Sequence, residues 1–171
     1  MIKGMSWVNE KLESKETGSY GMGVFATENS EKGTVLAVFG GYVFDETDLR
    51  SLPKLVQEYP FQVAENLFFG PIREEDLNNS IGECFNHSCD PNAGFKDKIT
   101  LVAIKNIKKG EQVTFDYAMC MTSDIVDMDC SCGVEWCRKR ITSNDWMIPE
   151  LQERYEHFFQ PYIKEKIENT H

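Results

Sequence analysis

The chain has 171 residues, 41% of them hydrophobic, with a formal net charge of −10. That length suits one domain able to bury a core, and no apolar run approaches the ~20 residues a membrane helix needs. The acidic balance argues against direct nucleic-acid binding, because phosphates select positive patches, and it favours a basic partner. The first twenty residues mix charge and polarity throughout, which predicts no signal peptide and a protein of the nucleus or cytoplasm.

Residues 1–70 predict short strands. Val24, Phe25 and Ala26 follow a glycine-rich turn, Gly21-Met22-Gly23, and residues 34–39 are rich in β-branched and apolar side chains until Gly40-Gly41 breaks them. Residues 45–60 are predicted helical or irregular, with Leu49, Leu52, Leu55 and Val56 at near-helical spacing and Pro53 shortening any helix. Further short strands are expected at 61–63 and 67–69. Residues 99–117 predict a β-hairpin, with strands at 99–104 and 112–115 and Lys109-Gly110 near the turn. Glu31-Lys32-Gly33-Thr34-Val35 partly recurs as Lys109-Gly110-Glu111-Gln112-Val113, which reads as two similar turns entering strands and not as an architectural repeat.

From Asn144 onward the pattern turns helical. Asn144 or Asp145 is a candidate cap and Pro149 fits a first turn. Leu151, Tyr155, Phe158 and Phe159 fall on one face, Pro161 restarts the helix, and Tyr162, Ile163 and Ile167 continue the apolar stripe. The stripe is expected to pack against the domain, and it also offers a homodimer contact.

The six cysteines are Cys84, Cys89, Cys120, Cys130, Cys132 and Cys137. Without a signal peptide, metal binding or free thiols are expected before disulfides. Cys130, Cys132 and Cys137 form C-x-C-x4-C, with Gly133 able to supply the turn. A structural zinc site needs four soft ligands. Cys89, beside the turn signal Asp90-Pro91, is the best fourth candidate, with His87, Cys84 and Cys120 as alternatives.

Three separated pieces need a common explanation: Gly21-Met22-Gly23-Val24-Phe25, Asn86-His87-Ser88-Cys89-Asp90-Pro91-Asn92, and Gly110-Glu111-Gln112-Val113-Thr114-Phe115-Asp116-Tyr117. A glycine pair before a strand lets backbone amides approach a ligand, and adjacent Asn and His combine donors and acceptors for a polar one. In this order the pieces resemble the SET-domain protein lysine methyltransferase family, over about residues 18–141. The terminal cysteine run resembles that family's post-SET zinc motif.

The resemblance implies a mainly β fold with short helices: a SET-domain β-clip fold with knot-like threading. The catalytic domain would span 1–118, the zinc-bound post-SET segment 119–141, and a C-terminal helical extension 142–171. It implies methyl transfer from S-adenosylmethionine to lysine side chains of a basic protein, with a histone tail as the expected substrate. A non-histone basic protein and a catalytically silent interaction module are the alternatives. Met22 and Gly23 would contact S-adenosylmethionine through their backbone, and Asn86 and His87 would hold its amino-acid and adenine portions. Tyr117 would be the active-site tyrosine. Phe115 would be an apolar wall that permits di- or trimethylation. Cys89, Cys130, Cys132 and Cys137 would ligate structural zinc. Trp136 and Ile141 are candidate pocket flanks, and Phe95 is expected in the core.

Some residues depart from the family pattern. Gly82-Glu83-Cys84-Phe85 stands before Asn86 where many members read Arg-Phe-Ile. Arg138-Lys139 follows the last cysteine where glycine is common at the second position. No cysteine precedes Cys84 in these 171 residues, so the cysteine-rich pre-SET region of some histone methyltransferases is not expected, which argues against that subgroup and a histone substrate.

Overall fold

The computed structural model describes residues 6–18, 21–78 and 80–170. Residues 1–5, the start of the expected catalytic span, lie outside them. In chain order the strands are β1 (Trp7–Val8), β2 (Leu12–Glu16), β3 (Met22–Ala26), β4 (Val35–Val38), β5 (Tyr42–Phe44), β6 (Phe61–Ala64), β7 (Leu67–Gly70), β8 (Asn86–His87), β9 (Ala93–Phe95), β10 (Thr100–Ala103), β11 (Gln112–Phe115), β12 (Asp127–Asp129) and β13 (Arg140–Thr142). The helices are α1 (Glu46–Ser51), α2 (Pro149–Arg154) and α3 (Pro161–Glu168). The strands form sheets ordered β1-β4-β10-β9, β2-β3-β11-β8, β5-β7-β6 and β12-β13. A small second core of Phe44, Leu49 and Phe68 ties α1 to the β5-β7-β6 sheet.

The expected hairpin at 99–117 does not form. β10 pairs with β4 and β9, whereas β11 pairs with β3 and β8. The reason lies in the two similar turns, which clasp each other. Gly33 N–H donates to Ala103 O and Gly110 N–H donates to Ala26 O, at 2.8 and 2.7 Å. Lys32 N–H donates to the Asn106 side chain and Lys109 N–H to the Asn29 side chain, each at 2.9 Å. Ser30 and Ile107 exchange both backbone bonds between them. Gly33 and Gly110 adopt φ of 90° and 87°, a region costly for other residues. The β3–turn–β4 and β10–turn–β11 units are therefore matched halves whose strands pair across. The recurrence is architectural, contrary to the reading of two merely similar turns.

This crossing carries β11 into the sheet where it meets β8. The pair is parallel, with Thr114 opposite Asn86 and Phe115 opposite His87. Parallel partners cannot be joined by a tight turn, and the intervening chain supplies β9 and β10 before it returns. Asn92 fastens the loop: its side chain donates to Gln112 O at 2.8 Å and accepts from Thr114 N–H at 3.0 Å.

The C-terminal helices pack on the same core. Leu151, Tyr155, Phe159, Tyr162 and Ile163 are buried in the cluster that also holds Phe95, Phe115 and Cys89. Phe95 N–H donates to Phe158 O, and Gln160 braces Met119 O and Lys98 O. Pro161 does restart a helix. Most of the apolar stripe is covered by its own chain, with Phe158 and Ile167 only partly buried. Neither Asn144 nor Asp145 caps a helix through its side chain. Asp145 is committed to the Thr142 N–H and hydroxyl and to Arg138.

Phe159→Ala removes a fully enclosed ring at this junction. It is expected to cost about 3–5 kcal/mol in urea unfolding with an unchanged denaturant slope. A loss under about 1 kcal/mol would show that the tail packs loosely.

Candidate active site and metal centre

The C-x-C-x4-C run forms the closed end of the β12–β13 hairpin. Asp129 pairs with Arg140, and Cys130 N–H donates to Lys139 O at 2.7 Å, so residues 130–139 are its loop. Gly133 turns the chain at φ 82°. Lys139 lies at φ 66°, where an L side chain is strained, which explains why glycine suits this position. The sulfurs of Cys89, Cys130, Cys132 and Cys137 all lie within 4.8 Å of one another. Zinc with Zn–S bonds of ~2.3 Å spaces tetrahedral sulfurs ~3.8 Å apart, so the cluster fits the ion after small adjustment.

The local chemistry points the same way. Backbone N–H groups of Arg138 and Lys139 approach the Cys89 and Cys137 sulfurs at 3.5 and 3.4 Å. Burial pushes the Cys89 thiol up to about 11 and raises Cys130 further. Burial also penalises the Cys132 thiolate, yet backbone N–H groups and neighbouring thiols bring it down to about 7. The neighbouring thiols donate to one thiolate and oppose a second, and a divalent cation would remove that opposition. Of the alternative ligands, Cys84 and Cys120 fall outside the cluster. His87 adjoins it but is committed elsewhere.

His87 Nδ1 accepts the Tyr117 backbone N–H at 3.2 Å, so the ring proton belongs on Nε2, which lies 3.4 Å from the Cys89 sulfur. Burial pushes the imidazole down to about 4 against the pull of Asp116. The ring is neutral near pH 7, and its 3.5 Å approach to Asp116 is a contact of a neutral ring. Asp116 instead takes the Arg138 guanidinium on both oxygens, at 2.6 and 2.8 Å, while its Oδ1 also accepts Ala118 N–H. Arg138 Nε lies 2.9 Å from Asp145. Burial works against this cation, but Asp116 keeps the guanidinium firmly protonated.

Two cavities flank the β8–β11 ladder. One, of ≈ 180 Å3, is walled by aromatic side chains that include Phe39, Tyr59, Phe61, Phe85, Phe115 and Tyr117. Glu58, Glu83 and Asp127 add acidic groups to its lining. The other, of ≈ 400 Å3, is polar and lined by Asn86, His87, Asp90, Lys105, Gln112 and Cys132, among others. Consecutive residues face different cavities: Phe85 lines the first, Asn86 and His87 the second. The Tyr117 hydroxyl donates to Phe85 O at 3.2 Å, and burial raises its phenol well above the ordinary range. The Phe115 ring sits 5.2 Å from that of Tyr117 and 5.2 Å from that of Phe95.

The structure therefore brings Asn86, His87, Phe115, Tyr117 and the four cysteines into one region. Met22 and Gly23 sit beside it, outside both cavity linings. Met22 O accepts the Asn86 side-chain N–H at 2.9 Å. A Cβ on Gly23 would stand 2.5 Å from Gln112 Nε2 and 3.0 Å from Asn86 Nδ2. Trp136 is exposed, and Ile141 is fully buried in the core. Phe95 is core, as expected, and backs Phe115. Sequence reasoning missed Tyr59, Phe61 and Phe85, for which the density of aromatic residues was the available signal. It also missed the Asp116–Arg138 pair, whose signal was the charged residue directly after the last cysteine.

The SET domain family model matches residues 21–118, more than half of the chain. The chain belongs to the SET-domain family. It is 25% identical over 140 residues to the histone-lysine N-methyltransferase ASHH2 of Arabidopsis thaliana, covering 75% of this chain and 8% of that protein. It is 29% identical over 145 residues to the putative histone-lysine N-methyltransferase ASHH4 of Arabidopsis thaliana, covering 77% and 40%. Against histone-lysine N-methyltransferase 2D of Homo sapiens it is 27% identical over 131 residues, covering 70% and 2%. The chain thus spans less than half the length of these relatives. Among solved structures, it resembles KRYPTONITE in complex with mCHG DNA and SAH, with a TM-score of 0.58 and 25% identity over 75% of this chain and 28% of that one.

Purified without chelator, the protein is expected to hold one zinc per chain by elemental mass spectrometry. Stripping the zinc should lower the melting temperature, because a ligand at a thousand times its Kd contributes about 4 kcal/mol. Cys130→Ser should lose the metal, whereas Cys84→Ser should keep it. Metal-free protein with every cysteine reactive toward a thiol reagent would contradict the site.

Proposed function

We propose that this domain transfers a methyl group from S-adenosylmethionine to a lysine side chain of a basic protein tail of the histone class. The observation that carries the reading is the pair of cavities, one aromatic and one polar, lined by consecutive residues: Phe85 on the first, Asn86 and His87 on the second. The named relatives are histone-lysine methyltransferases, and the KRYPTONITE complex contains SAH, the demethylated product of such a cosubstrate.

The polar cavity is large enough for a cosubstrate of this size. S-adenosylmethionine supplies a methyl already activated on a sulfonium. Asn86 would hold it through its side chain and backbone and His87 through its backbone, the His87 ring being committed to Tyr117 and Cys89, with Met22 and Gly23 alongside. The aromatic cavity admits the lysine. Burial against its aromatic walls and the nearby sulfonium favour the neutral amine, while Glu58, Glu83 and Asp127 in its lining favour the arriving ammonium. Tyr117 is a neutral phenol there, anchored on Phe85 O, and acts as an orienting hydrogen-bond group and not as a base. The amine lone pair forms the new N–C bond as the methyl–sulfur bond breaks in line. Orientation supplies much of the acceleration.

Phe115 adds no hydroxyl to the channel that could tether water or the amine. We infer product carried to the di- or trimethyl state. The acidic lining and the net charge of −10 favour a basic tail.

The test is labelled methyl transfer to histones and to a whole-cell lysate, with mass spectrometry of the product. Tyr117→Phe is expected to lose on the order of a hundredfold in rate while melting normally. Wild-type turnover in that folded variant would remove Tyr117 from the mechanism. Product that stops at one methyl under excess cosubstrate would refute the role given to Phe115.

A further inference from the structure

We propose that Arg138 is a positioning residue that ties the cysteine site to Tyr117, so that an ordered metal loop and a competent methyl-transfer centre come together. The proposal rests on the methyl-transfer reading for its kinetic consequence and on geometry for the connection itself.

Two routes join the Cys89 sulfur to Tyr117. In the first, the sulfur contacts His87 Nε2 and the other ring nitrogen accepts the Tyr117 N–H. In the second, the sulfur accepts the Arg138 N–H, and the Arg138 guanidinium forks onto Asp116, the residue before Tyr117. Asp116 then caps the turn Tyr117–Met119 through Ala118 N–H. Both routes fix the same peptide, one at its N–H and one through the carboxylate beside it.

Several features suit Arg138 to this task. The residue directly follows the ligand Cys137, so its backbone is fixed by the same loop that places the cysteines. Its side chain is 15% exposed and Asp116 is fully buried, so the fork is dry and rigid. Asp145 faces its Nε as an ion pair at 2.9 Å, without an aligned hydrogen bond, and is itself clamped by Thr142 on β13. A single flat cation thus spans the end of β11, the cysteine loop and the turn before α2. A lysine has one ammonium and cannot reproduce the planar fork. Charge also favours a cation here, since four thiolates around a divalent ion carry net negative charge.

The experiment uses the whole zinc-loaded chain, labelled with 15N-tyrosine, as wild type and as Arg138→Lys, Arg138→Gln and Asp116→Asn. In Arg138→Lys we expect roughly a tenfold or larger fall in kcat. Its S-adenosylmethionine affinity and zinc content should be nearly unchanged. The Tyr117 amide resonance should shift or broaden while that of exposed Tyr42 stays. Arg138→Lys combined with Asp116→Asn should be no worse than the poorer single variant, because one interaction is lost. Wild-type kcat with an unmoved Tyr117 resonance in Arg138→Lys would overturn the proposal. So would a fall in kcat that only tracks lost zinc and lost folded fraction. Where Arg138→Gln fails to fold, Arg138→Lys decides. Absence of methyl transfer in the wild type would defeat the functional reading, and the Tyr117 resonance alone would then judge the role of Arg138.

Discussion

Parallel strands need a long crossover, and the short parallel ladder between β8 and β11 imposes that requirement on the centre of this chain. Once Asn86 lies beside Thr114 and His87 beside Phe115, Tyr117 is brought within reach of both the His87 ring and the Phe85 carbonyl. The ladder is too short to sustain itself. It is held from one side by the clasp of the Gly33 and Gly110 turns, which delivers β11, and from the other by the Asn92 side chain. The site is therefore made by long-range pairing that both halves of the clasp support.

The cysteine hairpin depends on the same junction. Cys89 comes from the loop leaving β8, and the other sulfurs come from the end of the β12–β13 hairpin. That hairpin touches both cavities: Asp127 and Met128 line the aromatic one, and Ser131 and Cys132 line the polar one. Closing the hairpin onto Cys89 completes the walls of both cavities. A structural metal here would thus bear on both cavities at once.

Much of this was readable in the chain because the chemistry sits in short unbroken strings. Asn86-His87-Ser88-Cys89, Phe115-Asp116-Tyr117 and the run of Cys130, Cys132 and Cys137 each keep their groups within a few residues, and Gly133 marks the turn between them. What was not readable depends on partners distant in sequence. The pairing of β10 with β4 and of β11 with β3 overrode a pattern that looked like a local hairpin. The clue was present, in Asn29 and Asn106 placed alike before Gly33 and Gly110, but only their mutual hydrogen bonds give it meaning. Asp145 resembles a helix cap until Arg138 and Thr142 claim it. The stripe from Leu151 to Ile163 does not reveal in sequence that it packs beside Phe95 and Met119.

In the proposed reaction, cosubstrate and lysine enter from different cavities and meet at the junction of residues 85–87 with 115–117. The most direct measurement is a crystal structure of the protein with S-adenosylhomocysteine. The account predicts the ligand in the polar cavity, its amino-acid portion at Asn86, its adenine near His87 and Cys132, and its sulfur facing the aromatic cavity beside Tyr117. A ligand seated elsewhere, or with its sulfur turned away from Tyr117, would contradict it.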